Sequence, residues 1–185
     1  MGKPFYAGGT YGLFGYIFCD LLQHDYVAPH DRSVPKEAQK NIKHSAIYPP
    51  LSEALVHRWS ALTKRQTKEL NPAVVFAILA LWEHQKTRGE LPAGPADVAA
   101  LQSTANGLVS SADVNKQVLT TIPAELIQSL ADTARHECSP ICAIVGGMLA
   151  QDILKTLAAR DPPIANFFTF DGSTGAGTVC RMSMP

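Results

Sequence analysis

The chain has few cysteines, no excess of charge of either sign and no long uninterrupted hydrophobic run. Its four cysteines, scattered over 185 residues, are too few for the disulfide framework of a small secreted domain and favour a reducing, intracellular compartment. The 16 basic residues match the 16 acidic ones, so no general attraction to nucleic acid or to an anionic membrane is expected. The longest fully apolar run, Ile141–Ala150, is far shorter than a membrane span, and the first residues lack the apolar core of a signal peptide. We therefore predict a soluble intracellular protein with neither nucleic acid nor membrane as a partner.

Motifs for nucleotide binding, zinc binding and hydrolysis are also missing. The glycine-rich segment AGGTYGLFG (residues 7–15) follows a predicted strand, but the YIFCDLL after it is strand-like, whereas a phosphate loop must open a helix. No G-x-x-x-x-G-K-[ST] or G-x-S-x-G motif occurs, and the cysteines and six histidines lack the paired spacing of zinc ligands. We predict no catalytic, no cofactor-binding and no metal-binding residue in this chain.

Aromatic and β-branched residues predict strands near both ends of the chain. Phe5–Ala7 and Tyr16–Leu22 are predicted strands on either side of a glycine-rich turn, and ANFFTFDGSTGAGTVCRM predicts two more, joined at Asp171-Gly172. Residues 28–46 are polar and interrupted by proline, which predicts a linker.

The middle of the chain has helical signals. NPAVVFAILALWEHQKTRG predicts a helix with Asn71 as its N-cap, Pro72 in the first position and Gly89 just past the end. PAELIQSLADTARHE predicts a second helix; weaker ones cover 52–59 and 95–105, the latter stopped by Asn106-Gly107. The chain is thus interpreted as α/β, in four parts: core strands in 1–27, a polar linker in 28–46, a helical insertion in 47–137, and a core helix with terminal strands in 138–185.

The core helix predicted from Ser139, its N-cap, to about Ala159 carries two cysteines and a double glycine. Small residues share one stripe of it and the apolar first half is expected to be buried all round, so that Gly146 and Gly147 allow a neighbouring backbone to approach. A separate polar stripe is predicted from Gln151, Asp152 and Lys155. The cysteines are Cys19, Cys138, Cys142 and Cys180. Cys142 is interpreted as a buried small side chain; only Cys138, at the helix N-terminus and two residues from His136, has an argument for a reactive thiol.

The same helix carries a resemblance to a known family. The segment SPICAIVGGMLAQDILKTLAARDPPIANFFTFDGSTGAG closely resembles the last part of the smaller subunits of SUMO-activating enzymes, including their R-D-P-P and N-F-F-x-F-D-G stretches. The opening FYAGGTYGLFGYIFCDLLQHDYV is similar to the segment where that family's chain crosses into its second half, and LSEALVHRW and KTRGELP resemble landmarks of its helical insertion.

The resemblance implies the C-terminal half of a Rossmann-like adenylation fold with a helical insertion, in a subunit that does not itself perform the chemistry. It implies that the larger catalytic subunit is the partner, holds ATP and Mg²⁺ and forms the thioester, and that the SUMO-type modifier is contacted only indirectly. A nuclear or cytoplasmic location follows from the same resemblance. No catalytic residue transfers to this chain, because the family's contributing arginine lies in the first half, which this chain does not resemble. Three alternatives remain: an activating enzyme for another ubiquitin-like modifier, a stand-alone interaction module, or an enzyme that uses Cys138.

Overall fold

A four-stranded antiparallel sheet lies at the centre of the molecule, with helices on both of its faces. The computed structural model describes residues 2–29 and 40–185. Within them the chain forms six strands: β1 (Phe5–Tyr11), β2 (Phe14–Asp20), β3 (Gln23–Pro29), β4 (Asn41–Ile47), β5 (Phe167–Asp171) and β6 (Ala176–Cys180). The central sheet has the order β1-β2-β5-β6, so the first and last segments of the chain meet in it through the β2–β5 pair. The predicted α/β class is confirmed, and the arrangement is consistent with part of a Rossmann-like adenylation fold.

The first two strands differ from their predicted bounds because most of the glycines lie within them. β1 continues to Tyr11, which pairs with Phe14, so the connection is only Gly12-Leu13 and the predicted wide glycine turn is wrong. Gly12 alone has the left-handed φ, +59°, that a tight turn requires. Gly8 instead faces a helix: a Cβ there would lie 3.0 Å from Leu149 Cδ2. Gly12 therefore forms the turn, whereas Gly8 allows α6 to pack closely on the sheet.

A separate two-stranded hairpin follows the second strand. β3 pairs with β4 from Gln23↔Ile47 to Pro29↔Asn41, and Lys43 Nζ forms an ion pair with Asp25 Oδ2 at 2.7 Å. The prediction of a linker over 28–46 is therefore wrong for residues 28–29, which end β3, and for residues 41–46, which lie in β4. Residues 30–39 of that prediction lie outside the described part of the chain.

Six helices occur in the described ranges: α1 (Leu51–Ala54), α2 (Lys64–Glu69), α3 (Pro72–Arg88), α4 (Val98–Ser111), α5 (Ala124–Thr133) and α6 (Ser139–Ala158). The predicted bounds of α3 are confirmed, including Gly89 in the left-handed conformation at its end. Asn71, however, has φ +45° and makes no side-chain cap, and at α6 the N-cap position is held by Cys138, not Ser139.

Two weaker helix predictions are wrong in their bounds. The segment 52–59 is helical only over α1. The segment 95–105 starts as a short 3₁₀ turn, and α4 then continues through Asn106-Gly107 to Ser111. Asn106 lies inside this helix, and its side-chain oxygen accepts a hydrogen bond from the Ile122 backbone N–H at 2.9 Å.

Alternate residues of the central strands supply two separate cores. Phe14, Phe18 and Phe167 point to one side, where they join the buried side chains of α3, α4 and α5. Ile17 and Phe168 point to the other side and pack against α6. The helical residues of the middle of the chain thus share one core with the sheet, and α6 packs on the opposite face.

Candidate functional site

Cys138 and Cys142 lie at the start of α6, where the helix packs against the central sheet. Cys138 is half-buried and packs at the margin of the core formed by Ile17 and Phe168. Cys142 is also half-buried, with its Sγ 3.3 Å from Thr10 Oγ1 on β1. The interpretation of Cys142 as a buried side chain is therefore wrong, although its side chain does lie against the sheet.

The other two cysteines are structural. Burial raises the pKa of Cys19, whose Sγ donates to the Ile164 carbonyl at 3.1 Å, and raises the pKa of Cys180 to about 12. Neither thiol is available as a thiolate at neutral pH. Among residues 2–29 and 40–185, His, Cys, Asp and Glu side chains form no group of three that could hold a metal ion.

The inner face of α6 packs against glycines of the sheet region, whereas the glycines of α6 itself are not at this contact. Ile141 and Val145 are buried against the strands. A Cβ at Gly15 would collide with Val145, and one at Gly172 would collide with Ile141. The sheet glycines therefore allow the helix to lie close, and their loss would push α6 outward.

The outer face of α6 is apolar and uncovered. Gly146 and Gly147 are exposed, and a Cβ at either would meet nothing within 4 Å. The expectation that this half of the helix is buried all round is wrong. Large apolar side chains continue the same exposed face: Ile144 (41% exposed), Met148 (36%), Leu154 (65%) and Leu157 (78%). Exposed patches of this kind mark sites of interaction.

The predicted polar stripe of α6 is divided between solvent and core. Gln151 is exposed, whereas Asp152 is 2% exposed and turned toward the sheet. Its Oδ2 accepts from the Tyr6 hydroxyl at 2.9 Å, and its Oδ1 accepts from the Ile164 backbone N–H at 2.8 Å. Burial raises the pKa of Asp152, and it raises the pKa of Tyr6 as well. Asp152 therefore ties the helix to β1 and to the segment that leads into β5.

By length and composition, α6 is the one helix of the described residues that could cross a membrane, with a mean hydropathy of 1.5. The uninterrupted apolar run considered in the sequence is shorter than the helix, which also includes Asp152 and Lys155. In this fold one side of α6 packs on the sheet, so its high hydropathy comes in large part from the apolar outer face.

Several known proteins with similar sequences carry the same name. The SUMO-activating enzyme subunit 1 of Homo sapiens is 27% identical over 195 residues, covering 95% of this chain and 54% of that protein. The protein of the same name from Xenopus laevis is 29% identical over 192 residues, covering 95% and 55%, and that from Danio rerio is 29% identical, covering 94% and 54%. No protein-family model matches the chain.

The similarity thus extends along nearly the whole of this chain, including the strands, the middle helices and α6. The chain spans about half the length of the curated relatives it matches. It is homologous to SUMO-activating enzyme subunit 1 across most of its length.

Proposed function

We propose that the chain is a non-catalytic subunit, or part of one, of a SUMO-activating enzyme, and that it acts by forming a heterodimer with the larger catalytic subunit. The similarity to proteins named SUMO-activating enzyme subunit 1 supports the enzyme system. The exposed outer face of α6 carries the assembly part of the proposal. In this account ATP and Mg²⁺ are held by the larger subunit, the SUMO-type modifier is reached through it, and the complex works in the nucleus or cytoplasm.

The outer face of α6 has the composition of a close-packed interface. Gly146, Gly147 and Ala150 are small and exposed, so a partner backbone can approach the helix closely. Leu154 and Leu157 stand at the C-terminal end of the same helix. Burying a leucine side chain contributes roughly 1.5–3 kcal/mol, so covering these residues would stabilise a complex substantially.

The non-catalytic part of the proposal is supported by the character of the cysteines. Cys19 and Cys180 are buried with raised pKa values, and Cys138 and Cys142 take part in the packing of α6 on the sheet. The sequence also has no phosphate-loop motif. In this proposal the chain contributes a binding surface, and the catalytic groups come from its partner.

Co-purification tests the proposal. The chain, tagged at one end, is mixed with the purified larger subunit of a SUMO-activating enzyme and analysed by size-exclusion chromatography with light scattering. A complex of one copy of each protein is expected. If the two proteins elute separately at micromolar concentration, while the larger subunit still binds its own established partner, the proposed function is wrong. The larger subunit of another modifier's activating enzyme serves as the comparison, and preferential binding to it would assign the chain to that system instead.

A further inference from the structure

A cavity of about 220 Å³ lies beside the outer edge of the central sheet, away from α6. Its walls come from the segment after α1, from α2 and from the end of β6. Trp59, Leu62, Leu70 and Val179 supply most of its apolar lining. This volume is enough for one aliphatic side chain together with part of its backbone.

Trp59 is the least satisfied side chain in this wall. It is 1% exposed, and its ring is fixed against Phe76 with centroids 5.3 Å apart. Its Nε1–H is buried and has no hydrogen-bond acceptor among residues 2–29 and 40–185. A buried donor without a partner costs free energy, and an indole can only donate. Because this N–H is buried, the indole contributes apolar surface to the cavity.

The remaining polar groups of the cavity are also largely donors. His57 Nδ1 accepts from the Ser183 backbone N–H at 2.9 Å, and burial lowers the pKa of this imidazole, which leaves a neutral ring with a donating Nε2–H. The side-chain oxygen of Gln66 accepts both the backbone N–H and the hydroxyl of Thr63, so its amide N–H₂ is left to donate. The carboxylate of Glu69 is paired with Arg65 at 2.8 Å. The lining therefore suits a ligand with an apolar side chain and carbonyl oxygens.

The strand beside the cavity has an open edge. In the described sheets β6 pairs with β5 on one side and with no strand on the other. Val179 near its end is 40% exposed and forms part of the cavity wall. An edge strand next to a side-chain pocket is the arrangement by which proteins bind extended peptides.

We propose that this cavity is a peptide-binding site, in which an extended segment lies along the free edge of β6. One aliphatic side chain of the segment occupies the space between Trp59, Leu62 and Val179. Carbonyl oxygens of the segment face the donors of the cavity wall, His57 Nε2 and the Gln66 amide. The site is separate from the outer face of α6, and it does not depend on the proposed heterodimer.

Nuclear magnetic resonance tests the site with the whole chain labelled with ¹⁵N. The chain has two tryptophans, and the indole of Trp82 already donates to Tyr11 at 3.0 Å, so its cross-peak serves as an internal reference. The probe is the uncharged peptide acetyl-Ser-Val-Leu-Val-Ser-amide, and the control peptide has glycine in place of leucine. We expect the probe to shift the Trp59 indole cross-peak in a saturable way, with at least tenfold weaker binding of the control peptide.

Two protein variants complete the test. Val179→Glu places a charge at the cavity wall and should weaken probe binding at least tenfold, whereas Val27→Glu, at a residue of similar exposure on β3, should leave it unchanged. The proposal is wrong if the probe produces no saturable shift at millimolar concentration, if both peptides bind equally, or if Val179→Glu binds as the parent does.

Discussion

Asp152 is a buried acid on a largely apolar helix. Burial raises its pKa, while the hydrogen bonds from Tyr6 and Ile164 partly oppose that shift. Its folded pKa therefore lies above its unfolded value of about 3.9. The stabilising contribution of this group is present below the unfolded pKa and is lost as pH rises through the folded pKa, because the buried carboxylate must then ionise.

Asp152→Asn should therefore raise the melting temperature at pH 7.5 and have a smaller effect at pH 4. The asparagine oxygen can still accept from Ile164, and Tyr6 can donate to Thr156 Oγ1, which lies 2.7 Å away. In a domain of this size, about 1 kcal/mol corresponds to roughly 2–4 °C, so calorimetric scans at the two pH values can resolve the difference. A variant that melts below the parent at pH 7.5 would mean that the carboxylate's hydrogen bonds outweigh its desolvation.

Glycine positions provide a second test at the scale of single residues. Gly15 lies under Val145 of α6, so Gly15→Val must lift the helix from the sheet, at a cost of roughly 1–3 kcal/mol. Gly146→Val makes the same chemical change on the open outer face, and its effect should be neutral or slightly stabilising because valine favours a helix more than glycine does.

Thermal unfolding of the isolated chain distinguishes the two glycines. The Gly15 variant should melt several degrees lower than the parent, and the Gly146 variant within about 2 °C of it. Equal losses for both variants would contradict the assignment of inner and outer faces.

At the scale of elements, the sequence predicted the bounds of a helix correctly where each signal has only one physical meaning. Pro72 and Gly89 marked the ends of α3, and the extent of α6 followed from its apolar run and the prolines after it. The glycines near the N-terminus failed as turn signals because Gly8 and Gly15 make room for α6 and Gly9 makes room for the Tyr16 ring. Strand pairing across more than 150 residues cannot be inferred from local pattern.

The direction in which α6 faces could not be predicted either. Its first half is apolar on all sides, so hydrophobic periodicity gives no preferred face, and small residues suit a core and an interface equally well. The one sequence signal was Asp152, since a buried acid needs partners and Tyr6 and Ile164 supply them only on the sheet side. Likewise, nothing local connects Trp59 with β6, and the cavity between them appears only when the chain folds.

At the scale of the whole molecule, the sheet is covered by α3, α4 and α5 on one face and by α6 on the other, with the outer side of α6 left open. The chain spans about half the length of the curated relatives it matches, and the similarity includes this helix. We therefore propose that a partner subunit binds at the outer face of α6.

The affinity of the chain for the larger subunit of a SUMO-activating enzyme, measured by calorimetric titration, tests that claim most directly. The parent chain is compared with a Leu154→Glu and Leu157→Glu double variant and with Val56→Glu, a control whose valine is 72% exposed outside α6. Losing the burial of two leucines at roughly 1.5–3 kcal/mol each should weaken binding by at least tenfold, at about 1.4 kcal/mol per tenfold change. We expect that loss for the α6 variant and parent-like binding by the Val56 control; equal affinity for all three proteins would contradict a binding role of the outer face of α6.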